Sequence, residues 1–191
     1  AFVNQLPRRL GFAKGWTLPE VAQTWAYAIA VALFVAVISL RQPIFNKVGW
    51  LTGSLLLLSL LAAFAGGITF RGRSGWCGTF CPLGPIQRSY GQAPVVDVQQ
   101  TYCLSCVGCQ KNCYDLNPKA AIFDDINDDD PRYASQRTFF MGMMPGLVLA
   151  YFAQGQAPAH GYPLYLAILL GAMLASVGLY QAFTAMLRVD A

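Results

Sequence analysis

The longest uncharged run of the chain constrains its fold more than any other feature. From Thr138 to Leu187 the sequence has fifty residues and no Asp, Glu, Lys or Arg. About 20 helical residues cross a bilayer core of ~30 Å, so this run is long enough for two spans. Residues 154–163, rich in Gly, Pro and Gln, predict a turn between them. The run therefore predicts a helical hairpin in a membrane.

Two shorter uncharged runs precede it, twenty residues from Val21 to Leu40 and twenty-three from Val48 to Phe70. Charged residues make up 12% of the chain, whereas soluble domains contain about 25%. Four buried helices of a soluble protein are the alternative, but such helices rarely run this long without a charged face. We therefore expect an all-α integral membrane protein with four transmembrane helices, at about residues 21–40, 48–70, 138–153 and 163–187. The third is short for a span, and its alternative start lies nearer Tyr133.

The distribution of Lys and Arg predicts the orientation of these helices. Eleven of the thirteen lie in the amino-terminal segment, in the loop between the second and third helices, or after the fourth helix. The other two, Arg41 and Lys47, lie between the first and second helices. Because cytoplasmic loops carry the excess of positive charge, we expect a bacterial inner-membrane protein with both termini and the long middle loop in the cytoplasm. No clustered basic face of the kind that nucleic-acid binding needs is visible.

The middle loop contains all six cysteines of the chain. Four of them form the run "CLSCVGCQKNC", residues 103–113, with the spacing C-x2-C-x2-C-x3-C. This is the bacterial ferredoxin run, in which a tight loop wraps three thiolates around a 4Fe–4S cluster and a fourth ligand comes from elsewhere. Disulfides are disfavoured because cytoplasmic thiols stay reduced, and zinc motifs usually place two cysteine pairs well apart. The spacing predicts an iron–sulfur cluster.

The remaining ligand of such a cluster is often followed by proline, as Cys81 is in "SGWCGTFCPLG", residues 74–84. We therefore assign the first cluster to the four cysteines Cys81, Cys103, Cys106 and Cys109. Cys77 and Cys113 are left over. They are either bystanders or half of a second cluster, which a partner subunit, a second copy of the chain or an Asp ligand would complete. The Asp candidates are Asp97 and Asp115.

The cysteine motifs and the helix before them together resemble a known family. The segment "RGRSGWCGTFCPLGPIQ", residues 71–87, follows an uncharged helix and precedes the ferredoxin run. Over about residues 48–120 the chain resembles the membrane-bound ferredoxin-type proteins linked to periplasmic nitrate and nitrous-oxide reduction, the NapH and NosR type. The resemblance implies electron transfer between the quinone pool and a respiratory partner. It implies that Cys77 and Cys81 form a pair at the membrane edge, and that the cluster ligands are Cys103, Cys106, Cys109 and Cys113.

We therefore expect a membrane-anchored iron–sulfur electron-transfer protein that exchanges electrons with quinone or a redox protein partner, with no residue acting as an acid, base or nucleophile. Its role in an enzyme would be that of an electron-transfer subunit, for example in a quinol dehydrogenase. The expected regions are an interfacial segment (1–20), two helices (21–70), a cytoplasmic ferredoxin-like iron–sulfur domain (71–137) and two helices (138–191). The alternatives are an accessory iron–sulfur subunit of a larger redox or photosynthetic complex, and an assembly factor for a respiratory enzyme.

Overall fold

The described part of the chain is helical. The computed structural model describes residues 2–12, 16, 19–70, 76–86, 131–154 and 161–187. These residues include five α-helices: α1 (Phe2–Arg9), α2 (Glu20–Leu40), α3 (Gly49–Thr69), α4 (Pro131–Ala153) and α5 (Tyr162–Leu187). They contain no β-strand, although an isolated parallel bridge pairs Trp16 with Phe70. The prediction of an all-α fold is confirmed for these residues.

Three helical segments are long and apolar enough to cross a membrane: Thr24–Phe45, Gly49–Thr69 and Tyr162–Leu187, of 22, 21 and 26 residues. Their apolar side chains are largely exposed. On α3, the side chains of Leu56, Leu58 and Leu61 are 62, 63 and 54% exposed. An apolar surface of this extent is unfavourable in water but suits contact with lipid. These helices indicate association with a membrane.

Helix α4 begins earlier than its uncharged run does. The uncharged run begins at residue 138, whereas α4 begins seven residues before it, at Pro131, close to the alternative start near Tyr133. Proline suits the first helical position, where no backbone N–H is needed and the fixed φ favours the helix. Arg132 and Arg137 are good helix formers, so their charge does not end the helix. Because α4 is not one of the three apolar segments, the fourth membrane span stays a prediction.

The chain divides into two compact units, one made of residues 1–34 and 53–129 and the other of residues 35–52 and 130–191. Two of the three boundaries fall within helices, at 34/35 in α2 and at 52/53 in α3, and the third, at 129/130, precedes α4.

In the second unit, α4 and α5 form a tightly packed hairpin. Its core consists of two sets of buried side chains: Phe140, Met143, Leu147 and Ala150 on α4, and Tyr165, Leu169, Met173 and Val177 on α5. Their spacing of three or four residues places each set on one face of its helix. A Cβ atom at Gly146 would collide with the carbonyl of Ala172, so the two backbones approach closely there. The Ser176 Oγ also donates a hydrogen bond to the Gly142 carbonyl at 2.6 Å. Small residues and interhelical hydrogen bonds of this kind hold membrane helices together.

The chain between α2 and α3 starts with a π-helical turn, Arg41–Phe45. Pro43 lies within this turn and has no N–H to donate to an α-helical bond. The Asn46 N–H instead donates to the carbonyl of Arg41, five residues earlier, at 2.8 Å. The Arg41 guanidinium lies 5.9 Å from the ring centroid of Tyr151. This cation–π contact links the turn to α4.

Candidate iron–sulfur site

In the first unit, α1 packs against the carboxyl-terminal end of α3. Gly66 and Gly67 of α3 are both buried. A Cβ atom at Gly67 would collide with the backbone carbonyl of Asn4. Only a residue without a side chain therefore lets the two helix backbones approach this closely. Asn4 and Pro7 of α1 are fully buried. Helix α1 is therefore packed against other residues of the same chain.

A residue after α1 also contacts the carboxyl-terminal end of α3. Gly11 has a positive φ of 81°, the left-handed conformation that commonly ends a helix. Further along, the Trp16 N–H donates to the Thr69 carbonyl at 2.9 Å. The side chains of Leu10, Phe12 and Trp16 are more than half exposed, as expected of residues at a membrane interface. The interfacial role of residues 1–20 stays a prediction, and α1 is the helical part of that segment.

The cysteine motif begins in a second π-helical turn, Trp76–Phe80. The Cys81 N–H closes this turn by donating to the Trp76 carbonyl at 2.9 Å. Pro82 follows and has no N–H with which to continue the helix, so the chain leaves the helical path directly after Cys81. The backbone of Cys77 lies within the turn, and Cys81 is half-buried at its end. We call residues 76–81 the cysteine turn. Such π-helical turns are frequent at functional sites.

Three elements meet at Gly66. The position that a Cβ atom of Gly66 would occupy lies 2.9 Å from the backbone nitrogen of Trp76 and 3.4 Å from Oδ1 of Asn4. At this position the end of α3 is therefore in contact with both α1 and the cysteine turn. Gly66 permits both contacts because it has no side chain.

The amide of Asn4 is buried without a hydrogen-bond partner among the described residues. Its side chain is 0% exposed, and neither Oδ1 nor Nδ2 has a partner there. A buried polar group of this kind costs about 1–3 kcal/mol, and native proteins retain few of them. Sequence reasoning missed Asn4, because no local pattern distinguishes it from any other polar residue of an interfacial segment.

Most of the predicted ligands lie outside the described residues. These are Cys103, Cys106, Cys109 and Cys113, together with Asp97 and Asp115. Within the described ranges, no group of three or more His, Cys, Asp or Glu side chains could hold a metal ion. The structure therefore places the cysteine turn, and the assignment of ligands to clusters stays a prediction.

The donors that the chain provides fit an iron–sulfur cluster. Four thiolates ligate a 4Fe–4S cluster, and the chain has six cysteines. In the described part, the half-buried Cys81 ends a turn beside α3. A site at this place would be partly shielded from water, and burial is one of the factors that set the reduction potential of a cluster.

Comparison with known proteins supports the same cofactor. Residues 53–95 match the family model described as a 4Fe-4S binding domain. The match supports a 4Fe–4S cluster. It also supports a ferredoxin-type iron–sulfur family, and the predicted cofactor is confirmed at this level. The matched range includes most of α3 and the cysteine turn, with Cys77 and Cys81, and ends before Cys103. No curated protein and no solved structure matches the chain.

Proposed function

We propose that the chain is a membrane-anchored iron–sulfur protein that passes single electrons between membrane quinone and a redox protein partner. One observation carries the proposal: the matched 4Fe-4S range joins the cysteine turn to α3, a helix long and apolar enough to cross a bilayer. The cluster supplies the one-electron chemistry when it is bound. The residues of the chain hold it at the end of a membrane helix, partly shield it from water and present it to a partner.

The first cluster is proposed to be held by the four thiolates of Cys81, Cys103, Cys106 and Cys109. Cys77 and Cys113 are then available for a second cluster, and the matched range, which contains Cys77 and Cys81, supports a role for this pair. The resemblance to NapH-type proteins favours the alternative set of Cys103, Cys106, Cys109 and Cys113. Iron content separates one cluster from two, since one gives about four iron atoms per chain and two give about eight.

The proposed location is a bacterial inner membrane, with the cysteine turn on the cytoplasmic side. The support is the bias of Lys and Arg toward the termini and the middle loop. A reporter that is active only in the cytoplasm should be active when fused after residue 191. The same reporter inserted between Asn46 and Lys47 should be inactive. The reverse pattern would contradict the orientation and leave the cluster proposal intact.

Direct reduction by quinol tests the transfer function. The purified chain is placed in lipid nanodiscs with its cluster oxidised, and a soluble quinol analogue is added under anaerobic conditions. We expect the visible absorbance of the cluster to fall and the electron paramagnetic resonance (EPR) signal of the reduced cluster to appear. A cluster that dithionite reduces but quinol does not would contradict exchange with quinone.

An accessory subunit and an assembly factor are the alternatives from other classes. An accessory subunit should purify only as part of a larger complex, whereas an electron-transfer protein that acts through docking should purify alone and loaded. An assembly factor should lose its cluster to an iron-free acceptor protein on mixing. Retention of iron by the chain after such mixing favours the transfer role.

A further inference from the structure

The buried amide of Asn4 makes no hydrogen bond within the described part of the chain. Its side chain is fully buried, and neither polar atom has a partner there. A leucine has the same branching and would leave no polar atom unsatisfied there. An asparagine in this position therefore points to a hydrogen-bond partner beyond the described protein atoms.

The position of the Asn4 amide restricts which groups could be its hydrogen-bond partner. Asn4 Oδ1 and the Trp76 backbone nitrogen lie 3.4 and 2.9 Å from one point beside Gly66. The two atoms are therefore at most 6.3 Å apart, the sum of these distances. Trp76 directly precedes Cys77, and its carbonyl accepts the hydrogen bond from Cys81. Since consecutive Cα atoms are about 3.8 Å apart, the amide lies within a few residue lengths of both cysteines of the matched range.

The chemistry of a cluster supplies the missing partner. The side-chain nitrogen of asparagine has two N–H donors, and the sulfur atoms of a 4Fe–4S cluster and of its cysteine ligands accept hydrogen bonds that help set its reduction potential. A donor stabilises the reduced form more because that form is more negative, so each such bond raises the potential. Neighbours that are not themselves ligands orient the ligands of a metal centre in the same way.

We infer that Nδ2 of Asn4 donates a hydrogen bond to a sulfur atom of a cluster bound at the cysteine turn, and that this bond raises its reduction potential. This inference rests on the proposed function, because it requires a cluster at Cys77 or Cys81. Asn4 is then a positioning residue, and the close contact of α1 with Gly67 fixes its distance from the turn. The amino-terminal helix becomes part of the redox site although it has no cysteine.

A redox titration of the full chain in nanodiscs, followed by EPR, tests the inference. Asn4→Leu removes the donor and keeps the number and branching of the side-chain heavy atoms. We expect about a tenfold lower ratio of reduced to oxidised cluster at a fixed potential, which for one electron is a shift of about 59 mV. Asn4→Ser keeps a donor and should shift the potential less. The control is Asn46→Leu, which removes an exposed asparagine of the second unit.

The outcomes separate this inference from the proposed function. A wild-type chain without iron overturns the proposed function itself. A loaded Asn4→Leu variant whose potential equals that of wild type overturns the inference and leaves the function standing. If both Asn4 variants lose their iron while Asn46→Leu keeps it, the asparagine has a structural role and the inference is wrong.

Discussion

The α4–α5 hairpin and the end of α3 use glycine in the same way, but around different kinds of side chain. In the hairpin, Gly146 brings α4 against Ala172 of α5, within a core of apolar residues. At the end of α3, Gly67 admits α1, which buries a polar amide beside the cysteine turn. A close glycine contact alone therefore says little about function. The end of α3 differs from the hairpin because its buried amide lies beside the cysteine turn, within the first unit.

Among the variants considered, replacement of Cys81 should have the largest effect, which is a loss of bound iron. It should not affect the α4–α5 hairpin of the second unit. A serine oxygen is a poor ligand for an iron–sulfur cluster, which is held by thiolates. We expect Cys81→Ser to lose most of its iron and sulfide, measured per chain after purification. Cys77→Ser is the matched comparison from the same turn and should lose less, because Cys81 is the assigned ligand of the first cluster. Wild-type iron content in Cys81→Ser would show that this assignment is wrong.

The two glycine contacts can be compared by adding one methyl group to each. Gly67→Ala and Gly146→Ala both place a Cβ atom against backbone atoms, and overpacking of this kind costs about 1–3 kcal/mol. We expect both variants to unfold at lower denaturant in detergent, followed by circular dichroism. Only Gly67→Ala should also lower the iron content.

The matched controls for these variants are Gly53→Ala on α3 and Gly171→Ala on α5, since a Cβ atom at either position meets nothing within 4 Å. Both controls should keep or gain stability, by roughly 0.5–1 kcal/mol, because alanine favours the helix. If Gly67→Ala proved as stable as Gly53→Ala, the close packing of α1 on α3 would be refuted.

A smaller effect is expected from the hydrogen bond between α4 and α5. Ser176→Ala removes the 2.6 Å bond to the Gly142 carbonyl and should lower the free energy of unfolding by about 0.6–1 kcal/mol. Ser59→Ala is the control, because its hydroxyl bonds the Leu55 carbonyl within its own helix. An equal loss in the two variants would mean that the interhelical bond adds nothing to the hairpin.

The smallest effect is expected from the buried tyrosine of the hairpin. The Tyr165 hydroxyl is buried and has no hydrogen-bond partner in the described part of the chain. Tyr165→Phe removes this polar atom, so the unfolding free energy should stay constant or rise by up to about 1 kcal/mol. The half-buried Tyr162, whose ring stacks on that of Tyr165 at 6.2 Å, provides the control variant Tyr162→Phe. A clear loss of stability in Tyr165→Phe alone would show that its hydroxyl has a partner.

The helices could be predicted where the sequence has a long run of uncharged, apolar residues. They were predicted less well where a helix depends on contacts with residues distant in the sequence. The long uncharged runs predicted α2, α3 and α5 to within one residue at each end. The uncharged run places the start of α4 too late because Arg132 and Arg137 interrupt it, whereas the start expected near Tyr133 from the length of a span is within two residues of Pro131. The burial of α1 was missed because it depends on Gly66 and Gly67, about sixty residues away in the sequence.

The cofactor could be predicted from the cysteine spacing, because this spacing is typical of loops that bind a 4Fe–4S cluster. The surroundings of the cysteine turn could not. The role proposed for Asn4 depends on the packing of α1 against α3. The sequence of residues 2–9 has no pattern that predicts this contact.

Iron and acid-labile sulfide analysis of the purified chain, combined with EPR, tests the central claim most directly. The account predicts about four iron and four sulfide per chain, or about eight of each if a second cluster forms, and an EPR signal after reduction with dithionite. Iron near zero in a folded, membrane-extracted chain would contradict the account.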